Sequence, residues 1–285
     1  MDASAPPSYY NNNNNNTDNK QARFDELTHN LGLELTIKQE VRHILCGSKK
    51  VVIIDNSPSM NNAVNPQQTH LVPSQFGGII KRYTELKELL KQALPILAID
   101  SPDGVDVWWI NNPMGQRALY YRDKVTSYDD IRQEMEMNLP AGSTPLEPVL
   151  KAVMNKYTRH GAQETYMHCM VFLDGEPDGK EAGKQQCCSI IRKRGNPKRN
   201  IMNFVACTDN DAEIAWLNRM DKYPGIDIVD DYNSEHIEVL RAGRVKTFTY
   251  SDYVVKACIG AASKVIDRLD EPTISRRFQL FFSCR

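Results

Sequence analysis

Three short oxygen-bearing side chains at alternate positions, Asp55, Ser57 and Ser59, come directly after a β-branched run, Val51 to Ile54. If the chain leaves a strand still extended, a side-chain period of two turns all three the same way. One carboxylate and two hydroxyls converging there form a hard-oxygen set of the kind Mg²⁺ or Mn²⁺ takes. Two later places offer the same chemistry. Thr144 stands in a tight Gly142-Ser143-Thr144 loop at the entry to a helix, and Asp174 closes another buried-strand run, Met167 to Leu173, at the head of D-G-E-P-D-G. The plainer reading of the first group is a buried strand ending in an Asx-turn, with Ser59 as the cap of the next element.

The elements that must position these groups are legible in outline. Continuous apolar β-branched residues, as in Val51 to Ile54, mark a strand covered on both faces of a parallel sheet. Further strands are expected at Val105–Ile110, Met167–Leu173, Ile201–Cys207 and Ile226–Val229, with a short one at Leu119–Tyr121. Helical spacing predicts a helix over about Phe76–Ile99, with Ile79, Ile80, Tyr83, Leu86, Leu89, Leu90 and Leu94 on one broad face. Others are expected over Tyr128–Asn138, opened by Ser127, from Pro145 to about Tyr157, over Lys184–Lys193 and Asp211–Met220, and as a closing helix Ser251–Leu269. Strands alternating with helices predict an α/β fold: a doubly wound, mainly parallel sheet with helices on both faces. In such folds the carboxyl edge of the sheet is where ligands bind. A polar segment, Asn61 to Gln75, separates the first strand from the long helix.

Composition narrows the classes of partner. The chain has 285 residues, 41% of them hydrophobic, and 35 basic against 36 acidic side chains. A near-zero net charge gives no overall field toward nucleic acid or an anionic membrane. The local cluster Arg192, Lys193, Arg194, Lys198 and Arg199 reads as a solvated loop with cations near a helix C-terminus. No stretch approaches the roughly 20 apolar residues of a membrane span, and the amino terminus lacks the basic start and apolar core of a secretory signal. The 7 cysteines are odd in number and contain no C-x-x-C pair, which suits a reducing compartment. A cytoplasmic location is expected.

Residues 1–22 are low in complexity, with an asparagine run from Asn11 to Asn16. A segment so poor in apolar surface is expected to be a disordered tail. Its Pro6-Pro7-Ser8-Tyr9 string resembles ligands of WW domains. Helical spacing resumes over Phe24–Cys46, with Thr36 and Gln39 as a capping box. An ordered domain is expected over residues 33–270, then an extension, 271–285, carrying Phe278, Phe281 and Phe282.

Taken in order, D-N-S-P-S-M, G-S-T-P-L and F-L-D-G-E-P-D-G resemble the metal-ion-dependent adhesion site of the von Willebrand factor A-type domain, written D-x-S-x-S, a later Thr, then an Asp closing a strand. The resemblance covers nearly all of the chain outside the tail. It implies that Ser57 and Ser59 ligate Mg²⁺ or Mn²⁺ directly, that Asp55 holds a bound water and orients the serines, that Thr144 adds a third hydroxyl, and that Asp174 acts through water or directly. The ion would then bind the Asp or Glu carboxylate of a protein partner, making the chain a binding domain and not an enzyme. Leu173 stands where the family usually has Thr, and the Asn61–Gln75 segment is long for the link to the first helix. Neither departure removes a ligand.

Two other readings use the same residues. A metal at a strand tip also suits a phosphoryl-transfer hydrolase, but the phosphatase pattern D-x-D would need an acid where Ser57 stands. The domain could also be a structural scaffold with a vestigial site, since fold alone does not fix function. The histidines, His29, His43, His70, His160, His168 and His236, show no ligand spacing. Asp209-Asn210-Asp211 lacks the glycine and distal Glu of a calcium hand and reads as a helix N-cap.

Overall fold

Val51 and Ile53 face one apolar layer and Val52 and Ile54 the other, all fully buried, so the first strand, β1 (Ser48–Ile54), lies inside a three-layer sandwich. The computed structural model describes Ile44, residues 47–67, 69–99, Ser101, 103–137, 139–158 and 166–271. The 1–22 tail with its Pro6-Pro7-Ser8-Tyr9 string, nearly all of the Phe24–Cys46 helix and the extension beyond Glu271 lie outside the described residues.

The other strands are β2 (Val105–Trp109), β3 (Tyr120–Val125), β4 (Tyr166–Leu173), β5 (Asn200–Ala206) and β6 (Ile226–Val229). They form one sheet in the order β3-β2-β1-β4-β5-β6, parallel throughout except for the antiparallel edge pair β2–β3. The helices are α1 (Arg82–Ala98), α2 (Arg132–Met137), α3 (Leu146–Tyr157), α4 (Lys180–Arg192), α5 (Asp211–Asn218), α6 (Tyr232–Ala242), α7 (Tyr250–Ile259) and α8 (Lys264–Asp267). Helices α1, α6 and α7 cover the face of Val52, while α3, α4 and α5 cover the face of Val51. The chain is therefore a doubly wound α/β fold. From β1 it winds outward through β2 to β3, then returns to β4 and winds the other way, so the strand order reverses between β1 and β4. That reversal opens the crevice at which open α/β sheets take ligands.

Several boundaries differ from the expectation, each for a local reason. The long helix begins at Arg82, not near Phe76, because Gly77 and Gly78 take left-handed φ of +76° and +91° after a 3-10 turn, Pro73–Phe76. Ile79 therefore lies outside the helix and is 63% exposed. The expected closing helix is broken at Gly260, where a Cβ would stand 1.7 Å from Asp227 Oδ2; α7 ends there and α8 is a separate turn. Helix α6 has no counterpart in the expectation, although Asp231 at its N-cap and left-handed Gly243 at its C-cap are both sequence signals. The Ser127 capping box forms with Asp130, opening a 3-10 turn that leads into α2. Asn210 caps α5 as expected, its side chain accepting from the Ala212 N–H at 3.1 Å.

The basic loop after α4 is partly structural. Arg194 is 3% exposed, donates from Nε to the Asn200 carbonyl at 2.7 Å and from Nη1 to that of Ile191 at 3.0 Å, and also bonds the Pro224 carbonyl. Among the described residues no helix is long and apolar enough to cross a membrane, and Cys169, Cys187, Cys188, Cys207 and Cys258 are free thiols.

Candidate metal centre

The parallel ladder runs one step past the end of β1. The Asp55 N–H donates to the Phe172 carbonyl at 3.0 Å, just as the Cys207 N–H donates to that of Leu173 at 2.8 Å. This sets Asp55, Asp174 and Thr208 along one rim, at the carboxyl ends of β1, β4 and β5. The chain then turns back. Asp55 Oδ1 accepts the Ser57 N–H at 2.7 Å, the expected Asx-turn, and Pro58 opens a 3-10 turn over Pro58–Asn61. Ser57 stands at the cap of that turn, but its hydroxyl makes no capping bond. Ser59 does not cap either. Its Oγ lies 2.9 Å from Ser57 Oγ and donates to Asp174 Oδ1 at 2.8 Å. Both serine hydroxyls are thus turned to the rim, Ser59 by the 3-10 turn and not by the extended path that the alternate spacing assumed.

Asp55, Ser57, Ser59 and Asp174 therefore share one hydrogen-bonded group although 115 positions separate Ser59 from Asp174. Thr144 stands on a separate loop, and no hydrogen bond joins its hydroxyl to those four among the described residues. Its position is fixed through the backbone. Asp178 Oδ1 accepts the Thr144 N–H at 2.9 Å, Asp178 Oδ2 accepts from Ser143 Oγ at 2.6 Å, and the Asp178 N–H donates to the Thr144 carbonyl at 2.9 Å. An asparagine pair ties the same loop to β1. Asn56 exchanges two bonds with the backbone of Asn111, each 2.9 Å; its carbonyl accepts the Ala141 N–H at 2.9 Å, and Asn111 Nδ2 donates to the Ser143 carbonyl at 2.7 Å. Gly142 is required in this clamp: its φ is +94°, and a Cβ would meet Asn111 Oδ1 at 2.6 Å.

A cation already stands on the far side of Asp174. Arg82, the first residue of α1 and 8% exposed, donates from Nη1 to Asp174 Oδ2 at 3.0 Å and from Nη2 to Thr208 Oγ1 at 2.7 Å, and it lies 3.1 Å from Glu213 Oε2. Sequence spacing gives no sign of Arg82, Thr208 or Glu213, whose partners are far away along the chain. Asp178 and Asn56 lie within the motifs without a task assigned by the resemblance. Leu173 is buried in the apolar layer beneath α3 and α4, so the family's usual Thr has no polar counterpart here.

Electrostatically the rim disfavours two ionised carboxylates side by side. Burial, reinforced by the neighbouring Asp174 charge, pushes Asp55 up to about 7 despite the Ser57 hydrogen bonds and the approach of the Asp174 backbone N–H. Burial also raises Asp174, against the pull of Ser59 and Arg82. Asp55 Oδ2 is buried with no hydrogen bond of good geometry, an arrangement whose desolvation cost is met by a proton, a cation or an ordered water. Among the described residues no three His, Cys, Asp or Glu side chains cluster so as to hold a metal. An ion at this rim would therefore depend on the serine and threonine hydroxyls. Such a donor set fits a hard cation that keeps several waters, as Mg²⁺ does, and not zinc.

No protein-family model matches the chain, and no curated protein matches it significantly. Among solved structures, proximal thread matrix protein 1 from the mussel byssus is similar at 14% sequence identity and a TM-score of 0.38, over 67% of this chain and 46% of that one. The chain thus spans about half the length of that protein. What sequence and structure together define is a doubly wound α/β fold with a hard-oxygen rim at its strand-order reversal.

Proposed function

We propose that the chain is a von Willebrand factor A-type domain that binds a protein partner through a Mg²⁺ or Mn²⁺ ion held at this rim. The observation that carries the reading is the buried, unpartnered Asp55 Oδ2 beside the Ser57–Ser59–Asp174 network. Ser57 and Ser59 hold the ion through their hydroxyls. Asp55 would orient them, as it already fixes the turn through the Ser57 N–H. Thr144 contributes from the Asp178-anchored loop, and Asp174 acts through water while Arg82 retains its other oxygen. A bound ion supplies an electrophilic position that an Asp or Glu of the partner can complete. The free thiols suit a cytoplasmic setting.

Affinity capture from a cell extract, with Mg²⁺ or with chelator, tests the reading. Partners retained only with Mg²⁺ and lost with the Ser57→Ala/Ser59→Ala variant are expected; retention indifferent to both contradicts it.

One observation favours a second reading. Arg82 gives Asp174 a built-in counter-cation, so the domain could be a scaffold in which the guanidinium does a metal's electrostatic work. In that case divalent ions leave stability unchanged.

A further inference from the structure

At the carboxyl end of β5, α6 and α7 bring three tyrosines together. Tyr232 meets Tyr250 at 5.2 Å and 86° and Tyr253 at 5.5 Å and 65°, and Tyr250 lies 5.7 Å from Tyr253. His70, carried by the polar segment after β1, enters the group from outside. Its ring stacks on Tyr250 at 3.7 Å and meets Tyr232 edge-on at 5.2 Å. Glu85 of α1 and Asp231 at the head of α6 also line it, over an apolar floor of Leu86, Leu89, Val205, Ala206 and Cys207. The free space left is about 30 Å³, room for little more than a water. The imidazole is what fills the recess.

The polar groups here are poorly matched to that filling. Asp231 Oδ1 caps α6, accepting from the Asn233 and Ser234 N–H groups at 3.0 and 3.3 Å, but Asp231 Oδ2, Tyr250 Oη and His70 Nδ1 are buried without hydrogen-bond partners. Burial pushes Glu85 up to about 7 against a hydrogen bond from Thr69, with Asp231 and Asp209 acting in the same direction as burial, and burial raises Asp231 as well. Burial holds His70 down at about 4, so the ring is neutral near pH 7 and brings no charge to meet the acids. The electron-rich face of Tyr250 under the imidazole, the neighbouring Tyr232 and Tyr253 rings, buried carboxylates and a neutral occupant leave a place complementary to a cation of similar size.

We propose that this recess is a binding site for the methylated ammonium group of a peptide lysine, with Tyr232, Tyr250 and Tyr253 facing the cation, Glu85 and Asp231 supplying counter-charge, and His70 giving way to it. Aromatic faces attract quaternary ammonium groups by their quadrupole, most strongly where water is excluded. A choline phosphate carries the same head group, but its short ethylene link keeps the phosphate charge near the ammonium and so near Glu85 and Asp231. A peptide side chain has no such penalty. The site is independent of the metal reading, so the experiment is run in chelator.

Calorimetric titration of trimethyllysine, phosphocholine and neopentyl alcohol, a neutral compound of like shape, into the wild-type chain and into His70→Ala and His70→Ser tests the assignment. His70 lies on a loop and is only partly buried, so both variants are expected to fold. Removing the imidazole should tighten trimethyllysine binding by about tenfold or more, with the neutral alcohol and phosphocholine both weaker by a similar factor. In the wild type the same ranking should hold at higher concentration, and Tyr250→Leu in the His70→Ala background should abolish binding. Equal binding of the alcohol would show an apolar cavity only. Tighter binding of phosphocholine, or no gain on removing His70, would equally overturn the proposal.

Discussion

Arg82 and Asp174 form a buried ion pair, Nη1 to Oδ2 at 3.0 Å, on the opposite side of the carboxylate from the Ser59 hydroxyl. Asp174 is therefore shared between the rim and a fixed internal cation, and the helix bearing that cation starts where it does because Gly77 and Gly78 delay it.

Removing Arg82 leaves Asp174 charged, buried and half-partnered. Arg82→Ala is expected to cost about 3 kcal/mol in chelator, in the range found when one member of a buried pair is deleted. Chemical denaturation with and without Mg²⁺ checks this, and the ion should restore more stability to the variant than to the wild type. An unchanged midpoint in chelator would show that the pair contributes nothing.

The Ser143–Thr144 loop depends on Asp178, and Asp178 depends on Gly183. A Cβ at Gly183 would stand 1.8 Å from the Asp178 carbonyl oxygen. Gly183→Ala should cost about 1–3 kcal/mol by overpacking and weaken divalent-ion binding by moving the loop. Asp178→Ala should weaken ion binding with a smaller loss of stability, about 1–2 kcal/mol. Thermal melts alongside metal titration separate the two effects.

His168 supplies a pH dependence remote from the rim. It is 1% exposed, Asn203 Nδ2 lies 3.0 Å from its Nε2, and burial, with the adjacent Lys50 charge, holds it down at about 4 against an ordinary 6.5. With the folded value below the unfolded one, the unfolded chain takes up the proton first as pH falls. Stability is thus lost between about 6.5 and about 4, on the order of 3 kcal/mol. His70, also held at about 4, acts in the same direction. The His168→Gln variant should show a flatter stability profile across that window, read by denaturation at several pH values; an identical slope would place the dependence elsewhere.

The parts of the fold legible from the sequence are those written locally. Val51 to Ile54 declare a buried strand and Asp55 its Asx-turn, but Ser57 and Ser59 reach the same rim because the chain coils into a 3-10 turn at Pro58 and not because it stays extended. Asp174 is legible because it ends a second such run. Arg82, Thr208 and Glu213 are not, since each acquires its role only when the ends of β4 and β5 and the starts of α1 and α5 meet. The break at Gly260 likewise depends on Asp227 of a neighbouring strand, a contact no periodicity encodes. Thr144 marks the middle ground: its loop is legible, but the Asp178 anchor that positions it is not.

The central claim is that the Asp55, Ser57 and Ser59 group holds one divalent ion. Electron paramagnetic resonance of Mn²⁺ titrated into the chain measures this directly. One bound ion per chain is expected, displaced by Mg²⁺ and lost in Ser57→Ala/Ser59→Ala while the fold is retained. Mn²⁺ that stays free in the wild type, or binds equally to the variant, would contradict it.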